Sequence, residues 1–338
     1  MPEYDEQLHI IGKDIIKFHC IYWPAFLQAA DIDPYKHKVL AHGHWTVDGR
    51  KMSKSVGNVV DPLYSQLADI IPYDGWRWFL LRKSMAELEN SSFSNYQFGA
   101  CIEKDLSGGI GTLMNRVCSK KMNPEQKWPK DPDFSIANFQ HLISLTKASP
   151  QKYERFMLSF QMAKAVDVVA HLIKVCHKVC EAEGLHKCDN ELHKNTGIAV
   201  IYEALRVVSL LCEPFIPEKA NFIKNKLNIM TDIFHQEDLT TWKSLETYYP
   251  DAVRDKGLSP SRGLFFNRIQ KLSIEEAKVD TTNNKAQFIS MQQNHLRKWF
   301  SSNMNTGVKS NFNAQKGMAK NAALKKALRV EDSLKKNR

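Results

Sequence analysis

The sequence has 338 residues, of which 43% are hydrophobic and 25% are charged. This composition is typical of a folded soluble protein and excludes a fibrous or wholly disordered chain. The length allows two domains, each with its own core. The sequence contains no apolar run of about 18 residues and no secretory signal, so we expect no membrane partner and no secretion.

The net charge of +10 is concentrated at the carboxyl end of the chain. Residues 271–338 contain fourteen Lys or Arg and five Asp or Glu, a surplus of nine positive charges. Such a tail suits a polyanion such as RNA, through phosphate contacts and counterion release. A solvated extension without a partner explains the same charge equally well.

The seven cysteines include no Cys-x-x-Cys pair. An odd number of scattered cysteines fits reduced thiols in an intracellular compartment. Cys176, His177 and Cys180 lie close together in the sequence, but no second pair of ligands accompanies them. The sequence therefore predicts no metal site, and in particular no zinc site.

The first 60 residues predict two strands, a helix and a hairpin. Residues 9–11 form a β-rich run, and residues 13–30 carry apolar side chains at helical spacing. Residues 38–41 are a second extended run. Asp48 and Gly49 form a dipeptide typical of a hairpin turn.

The chain beyond position 60 has a helical pattern. Asp61 and Pro62 form a favourable helix start. Ser94 and Gln97 predict a capping box before an apolar helix that runs to about position 117. Further helices are predicted at residues 134–149, 153–180, 196–212 and, in the basic tail, 317–336. Most of these helices would form one bundle.

The strongest chemical signal is the run KMSKS at residues 51–55, which continues as VGN. Lysine side chains supply mobile cationic donors, and serine hydroxyls add neutral donors. These residues alone predict an anion-binding loop.

KMSKS, preceded by a strand and a hairpin and followed by VGNVVDP, resembles the second signature of class I aminoacyl-tRNA synthetases. The resemblance implies that the loop closes on the triphosphate of ATP. Lys51 and Ser53 would then bind the phosphates. Lys54 would act with Lys51 in catalysis, as the main stabiliser of the charge that develops in the transition state.

The runs IGKDIIKFH at residues 11–19 and YWPAFL at residues 22–27 resemble the signature of methionyl-tRNA synthetases. The synthetases for isoleucine, valine and leucine carry an acidic-Gly-Asp-Gln pattern at this place, and those for cysteine carry two histidines. Another class I synthetase is therefore disfavoured. The resemblance implies that Gly12 and Asp14 lie beside the ribose of ATP.

The same resemblance implies that Ile15, Phe18 and His19 contact the side chain of methionine. Their spacing of i, i+3 and i+4 puts them on one helical face. An aromatic wall against a thioether is also favourable. His19 taken alone would more often be a core histidine.

His42 and Gly43 begin the run HGHWTVDGRKMSKS, which resembles the family's HG-x-x-T-x-x-G-x-KMSKS. The resemblance implies that both residues bind the adenine of ATP through the backbone. Gly43 could equally serve only the turn.

The helical part resembles the family more loosely. GTLMNR at residues 111–116 resembles GNLLNR of the anticodon-binding bundle, which implies that Arg116 helps to read a CAU anticodon. Thr112 replaces an asparagine of that pattern, and Leu185 replaces a tryptophan that stacks on an anticodon base. GLFFNRI at residues 263–269 resembles a closing run of mitochondrial and bacterial members.

The resemblance implies an α/β Rossmann-like catalytic half, with a partial parallel sheet and the KMSKS loop, at residues 1–92. An all-α anticodon-binding helix bundle at residues 93–270 and a basic, flexible tail at residues 271–338 would follow. The family's HIGH-type motif is absent from the sequence. We therefore expect an incomplete gene model, a fragment or a split product, and a chain that is inactive alone.

The implied activity is that of a methionine:tRNA ligase, with L-methionine, tRNA and ATP as partners and Mg²⁺ as part of the ATP complex. The alternative is a non-catalytic tRNA-binding protein that retains the bundle. A monomer in the mitochondrial matrix, or otherwise in the cytoplasm, is expected.

Overall fold

The computed structural model describes residues 7–33, 37–60, 62, 71–83, 88–229 and 258. These residues fall in one compact unit, which extends over residues 1–281. The predicted helix start at Asp61, the GLFFNRI run and the basic tail with its helical pattern lie outside the described residues.

Two parallel strands open the described chain. Strand β1 (Gln7–Gly12) pairs with β2 (His37–His42) in register from Gln7 opposite His37 to Gly12 opposite His42. Both predicted strands are therefore confirmed, with slightly longer bounds.

The crossover between these strands is not the single regular helix that the pattern predicts. It contains a 3₁₀ turn (Lys13–Ile15), a π-helical segment (Phe18–Tyr22) and helix α1 (Trp23–Ala29). Pro24 stands at the start of α1. Because proline has no N–H group, it cannot bond to the carbonyl oxygen four residues earlier, and the wider π-helical turn precedes it. The backbone remains helical at Tyr22 and Trp23, so α1 continues from that turn.

The predicted hairpin is confirmed. Strand β3 (Trp45–Val47) pairs antiparallel with β4 (Arg50–Lys51) and parallel with β5 (Ser91–Ser92). Asp48 and Gly49 both have positive φ angles, of 52° and 73°. This is the backbone that a two-residue hairpin turn requires.

Aromatic side chains attach the hairpin to the helices that follow it. Helix α2 (Tyr73–Lys83) contributes Phe79, whose ring stacks on Trp45 with centroids 5.7 Å apart. Phe79 also meets the ring of Phe98 edge-on at 5.0 Å. The hairpin is therefore held by the same core as the bundle.

The next helix begins at its predicted cap. The Ser94 hydroxyl oxygen accepts a hydrogen bond of 3.2 Å from the Gln97 N–H, at the start of α3 (Asn95–Ile102). The chain then runs through a π-helical segment, Glu103–Gly111, into α4 (Thr112–Val117). A Cβ at Gly108 would lie 2.8 Å from the Glu103 carbonyl oxygen, so glycine permits this wider turn.

The predicted break between two later helices is misplaced. Helix α5 (Gln140–Leu158) continues past Pro150, a buried residue in the middle of the helix. Helix α6 (Met162–Ala182) follows. The chain turns instead at Phe160, with a φ of 57°. Burial of the apolar face of α5 outweighs the one hydrogen bond that the proline removes.

Helix α7 (Glu191–Cys212) begins five residues before its predicted start, and α8 (Pro217–Lys226) follows it. By length and composition α7 is apolar enough to cross a membrane. However, 89% of its apolar stretch of 18 residues is buried inside the protein. This burial is what the central helix of a bundle requires.

Helix α2 is bound to the end of the bundle by polar contacts. The Arg77 guanidinium donates to the carbonyl oxygens of Phe215 at 2.8 Å and Pro214 at 2.6 Å. The Asp74 carboxylate accepts from the Lys219 N–H at 2.8 Å, in the first turn of α8. Burial raises the pKa of Asp74.

Arg82 at the end of α2 joins three helical segments. Its guanidinium lies 2.7 Å from the buried carboxylate of Asp105 and 2.9 Å from the exposed carboxylate of Asp167. The Trp78 indole N–H also donates to Asp105, at 3.2 Å. The Cys101 thiol donates to the same carboxylate at 3.5 Å, so Asp105 satisfies three donors in a region of low dielectric constant.

We predict that Asp105→Ala lowers the free energy of unfolding by about 3 to 5 kcal/mol, because it leaves a half-buried guanidinium without its buried partner. Asp167→Ala removes the exposed partner of the same guanidinium and should cost less than about 1 kcal/mol. Urea denaturation of both variants measures the difference. An equal loss of unfolding free energy in the two variants would contradict the greater contribution that we assign to the buried carboxylate of Asp105.

Candidate active site

One ion pair joins the two most informative sequence motifs. The Lys51 ammonium donates to the Asp14 carboxylate at 2.9 Å, across 37 positions of the sequence. His44 Nε2 lies 3.9 Å from the other oxygen of the same carboxylate. Asp14 follows β1, Lys51 ends β4, and His44 precedes β3, so the two sheets bring the three side chains together.

The charges at this contact affect one another. The hydrogen bond from Lys51 lowers the pKa of Asp14, which is therefore ionised at neutral pH. Burial lowers the pKa of His44, and the positive charge of Lys51 acts in the same direction. His44 is therefore neutral at neutral pH.

Gly12 leaves space beside the Asp14 side chain. A Cβ at position 12 would lie 2.7 Å from Oδ1 of Asp14, so that carboxylate would have to shift. The φ angle of Gly12 is −70°, which any residue adopts, so glycine here provides space and not a special backbone conformation.

Close approach of another backbone segment requires glycine at position 43. A Cβ there would clash with the backbone carbonyl of Glu89. The His44 N–H donates to the Asn90 side-chain oxygen at 3.1 Å, and the Lys13 ammonium donates to the Leu88 carbonyl oxygen at 2.8 Å. The close approach of residues 88–90 therefore accounts for this glycine without a bound base.

His42 precedes that glycine at the end of β2. Its Nδ1 lies 2.8 Å from the carbonyl oxygen of Gly43. This contact fixes the orientation of the imidazole ring.

The KMSKS loop is closed by an asparagine. The Asn58 side-chain oxygen accepts from the Ser53 N–H at 2.8 Å, and its amide nitrogen donates to the Lys51 carbonyl oxygen at 3.1 Å. Asn58 is buried. No role for Asn58 follows from the sequence pattern, although its place after Gly57 in the run SVGN could have indicated a loop-closing amide.

The two lysines of the loop differ in their contacts. Lys51 is held by Asp14, whereas Lys54 is exposed and makes no hydrogen bond to the part of the chain that the structure describes. The hydroxyl oxygens of Ser53 and Ser55, on either side of Lys54 in the sequence, lie 2.7 Å apart. The loop therefore presents one anchored cation and one cation that can reach a ligand.

The predicted methionine contacts lie on the crossover between β1 and β2. Ile15 and Phe18 are exposed, and His19 is partly buried with its Nδ1 3.1 Å from the Ile15 carbonyl oxygen. The His19 ring also lies 5.8 Å from the ring of His9 in β1. These side chains are accessible to a small ligand, and their role remains a prediction.

Arg116 lies apart from these residues, on α4. It lines a cavity of about 310 Å³ together with Lys121, Glu181 and His186. Its Nη1 is 3.5 Å from a Glu181 carboxylate oxygen. The cavity thus combines donors and an acceptor, as recognition of a polar ligand requires.

Leu185 is fully buried and does not present a surface for stacking. A Cβ at Gly197 would lie 2.8 Å from the Leu185 side chain, so the turn after α6 packs closely against α7 here. Among the described residues, no group of three or more His, Cys, Asp or Glu is arranged to hold a metal ion.

Comparison with known proteins agrees with these motifs. Residues 3–118 match the family described as tRNA synthetases class I (M). The mitochondrial methionine–tRNA ligase of Xenopus laevis is 31% identical over 279 residues, which are 78% of this chain and 48% of that protein. The methionine–tRNA ligase of Clostridium acetobutylicum is 34% identical over 270 residues, 78% of this chain and 39% of that protein.

A solved structure of a methionyl-tRNA synthetase is also similar to this chain. The Mycobacterium tuberculosis methionyl-tRNA synthetase bound by methionyl-adenylate matches with a TM-score of 0.61 and 29% sequence identity, over 77% of this chain and 50% of that one. Residues 3–118 therefore belong to the class I tRNA synthetase family. Within that class the chain is a homologue of methionine–tRNA ligases. It spans about half the length of the relatives that it matches.

The contacts of Asn58 predict a measurable change in the loop. Asn58→Ala removes two hydrogen bonds, worth about 1 kcal/mol each, and should raise tryptic cleavage after Lys51 and Lys54 roughly ten-fold or more. Ser55→Ala is the matched control, because it removes only a contact between two hydroxyl groups. Mass spectrometry of timed digests measures both rates. Equal rates in the two variants would show that Asn58 does not close the loop.

Proposed function

We propose that this chain carries one side of the active site of a methionine–tRNA ligase. In the proposed reaction a carboxylate oxygen of methionine attacks the α-phosphorus of ATP, the bond to pyrophosphate breaks, and methionyl-adenylate forms. A terminal hydroxyl group of tRNA then attacks the methionyl carbonyl carbon, and AMP leaves. The observation that carries the proposal is the contact between Lys51 and Asp14.

That contact supports one binding site made of two motifs. Asp14, beside Gly12 at the end of β1, would receive the ribose of ATP, and His42 and Gly43 would lie against adenine through the backbone. Lys51, held 2.9 Å from Asp14, would then stand beside the phosphates. The match to a synthetase bound by methionyl-adenylate supports a site of this kind.

Lys54 suits the catalytic role because no partner among the described residues holds it. Charge develops on the phosphate oxygens and on the pyrophosphate leaving group during attack, and a mobile ammonium can follow it. Ser53 would add a neutral donor, and Mg²⁺ would enter as part of the ATP complex. The chain's own contribution is to position the triphosphate and stabilise its charge.

The side chains of Ile15, Phe18 and His19 would receive methionine. Phe18 is exposed at the surface of the crossover and offers an aromatic face to a thioether. His19 is oriented by its contact with the Ile15 carbonyl oxygen.

The domain organisation belongs to the same proposal. Residues 1–92 would be the second half of a Rossmann-like catalytic domain, supported by the parallel pairing of β1 and β2 across a helical crossover. Residues 93–270 would bind the anticodon through Arg116, and residues 271–338 would contact tRNA phosphates. The mitochondrial relatives support a place in mitochondria.

The first test concerns methionine-dependent exchange of pyrophosphate with ATP. The full chain is co-expressed with the complementing half, defined as the part of the M. tuberculosis methionyl-tRNA synthetase that this chain does not span. We expect exchange by the pair, and a loss of about 100-fold or more when Lys54 is replaced by Ala. Lys152→Ala in α5 is the matched control and should leave the rate unchanged. Full exchange by the Lys54 variant would contradict the proposal.

The second test concerns the anticodon. Arg116→Ala should weaken binding of a tRNA with a CAU anticodon by about 1 to 3 kcal/mol at fixed salt. Arg155→Ala in α5 removes the same charge from the same bundle and should have little effect. A tRNA with another anticodon should bind both variants alike. Tight tRNA binding without any exchange activity would favour the alternative, a non-catalytic tRNA-binding protein.

A further inference from the structure

Three lysines share the exposed face of helix α6. Lys164, Lys174 and Lys178 are exposed, and at about 3.6 residues a turn they fall within about a quarter of the helix circumference. From Lys164 to Lys178 they extend over about 21 Å of helix, at about 1.5 Å a residue. The opposite face of α6, which carries Val169 and Ile173, is buried in the bundle. We call the three residues the lysine face of α6.

The acidic residues beside the lysine face are paired with arginines of neighbouring segments. Asp167 lies 2.9 Å from Arg82 at the end of α2, and Glu181 lies 3.5 Å from Arg116 on α4. Within the part of the chain that the structure describes, none of the three lysines makes an ion pair or a hydrogen bond. The negative charges of the two carboxylates are therefore offset by guanidinium groups, and the three ammonium groups remain as a surplus.

Local helix energetics do not explain these lysines. Lys174 and Lys178 are at positions i and i+4, where like charges repel and destabilise a helix. None of the three is in the last turn of α6, where the helix dipole would stabilise a cation. A solvated face without a partner retains this repulsion, whereas a bound polyanion removes it.

The lysine face leads to the cavity that Arg116 lines. Glu181 also lines this cavity and comes three residues after Lys178 on the same helix. A nucleic-acid strand with a base in the cavity would therefore carry its phosphates along the lysine face. A length of about 21 Å suits several successive phosphates, because a duplex advances about 3.4 Å for each nucleotide of a strand.

We propose that the lysine face of α6 binds phosphate groups of a tRNA, in the strand that leads into the Arg116 cavity. Each ammonium group contacts a phosphate oxygen and releases a counterion, so the contact is independent of base sequence. The inference rests on the proposed function in taking tRNA as the partner. It depends neither on recognition of the anticodon nor on formation of the adenylate.

The test measures the salt dependence of tRNA binding by the full 338-residue chain. The probe is a tRNA transcript with a CAU anticodon, titrated at several salt concentrations. A chain with both Lys174→Gln and Lys178→Gln should reduce the slope of log K against log salt by about 1.4 to 1.8, since each phosphate contact contributes about 0.7 to 0.9. At about 0.1 M salt the affinity should fall about ten-fold or more. A transcript with another anticodon should show the same change.

Two control chains accompany the glutamine variant. Lys174→Arg with Lys178→Arg retains both charges and should keep the slope of the unchanged chain. Lys130→Gln with Lys152→Gln removes the same charge from exposed positions outside α6 and should also keep it. Circular dichroism checks the fold. The glutamine variant should not have a lower Tm, because glutamine and lysine are similar helix formers and the repulsion is removed.

Three results would overturn the proposal. The first is an absence of tRNA binding, or an unchanged slope in the glutamine variant. The second is an equal decrease of slope in the control with Lys130 and Lys152 replaced. The third is a loss of binding to phosphatidylserine vesicles without any change in tRNA binding, which would assign the lysine face to a membrane surface.

Failure of the proposed function gives a different pattern. A reduced slope in the glutamine variant, together with no preference for the CAU anticodon and no exchange activity, would sustain the lysine face and contradict the proposed function. A CAU preference that Arg116→Ala abolishes, together with an unchanged slope in the glutamine variant, would do the reverse.

Discussion

The hydrogen bond between Lys51 and Asp14 is the constraint on which the proposed site depends. It connects the residue that follows β1 with the first lysine of the KMSKS loop, over 2.9 Å. Gly12 leaves room for the carboxylate, and Asn58 closes the loop behind the lysine. Because Lys51 is anchored in this way, Lys54 remains the cation that can move toward a phosphate.

This local contact is supported from a distance by the helical core. The hairpin that carries Lys51 packs through Trp45 on Phe79 of α2. Helix α2 is in turn bound to the bundle through Arg77, Asp74 and the pair of Arg82 with Asp105. The loop that we propose to hold a triphosphate is thus built on the packed helical core rather than on a free hairpin.

Part of this architecture follows from sequence, because short-range signals determine it. The hairpin needs positive φ at Asp48 and Gly49, and the cap at Ser94 needs only a hydroxyl three residues before an N–H group. The course of α5 through Pro150 does not follow, since burial in the bundle outweighs the local preference of proline. Packing against residues that are distant in the sequence therefore determines the course of α5.

The candidate site likewise contains features that follow from the sequence and features that do not. Its residue types follow from the motif, but the use of Gly43 does not, because its neighbour Glu89 is 46 positions away. The structural role of Asn58 likewise requires knowledge of where the loop folds. The buried position of Leu185 follows only from the packing of the helix that carries Gly197.

The central claim is that the segment after β1 and the KMSKS loop form one substrate site. Hydrogen–deuterium exchange on the chain in complex with its complementing half, with and without a non-hydrolysable methionyl-adenylate analogue, tests it most directly. The account predicts that the analogue slows exchange in residues 12–19 and 51–58 together. Slower exchange in only one of these segments, or in neither, would contradict it.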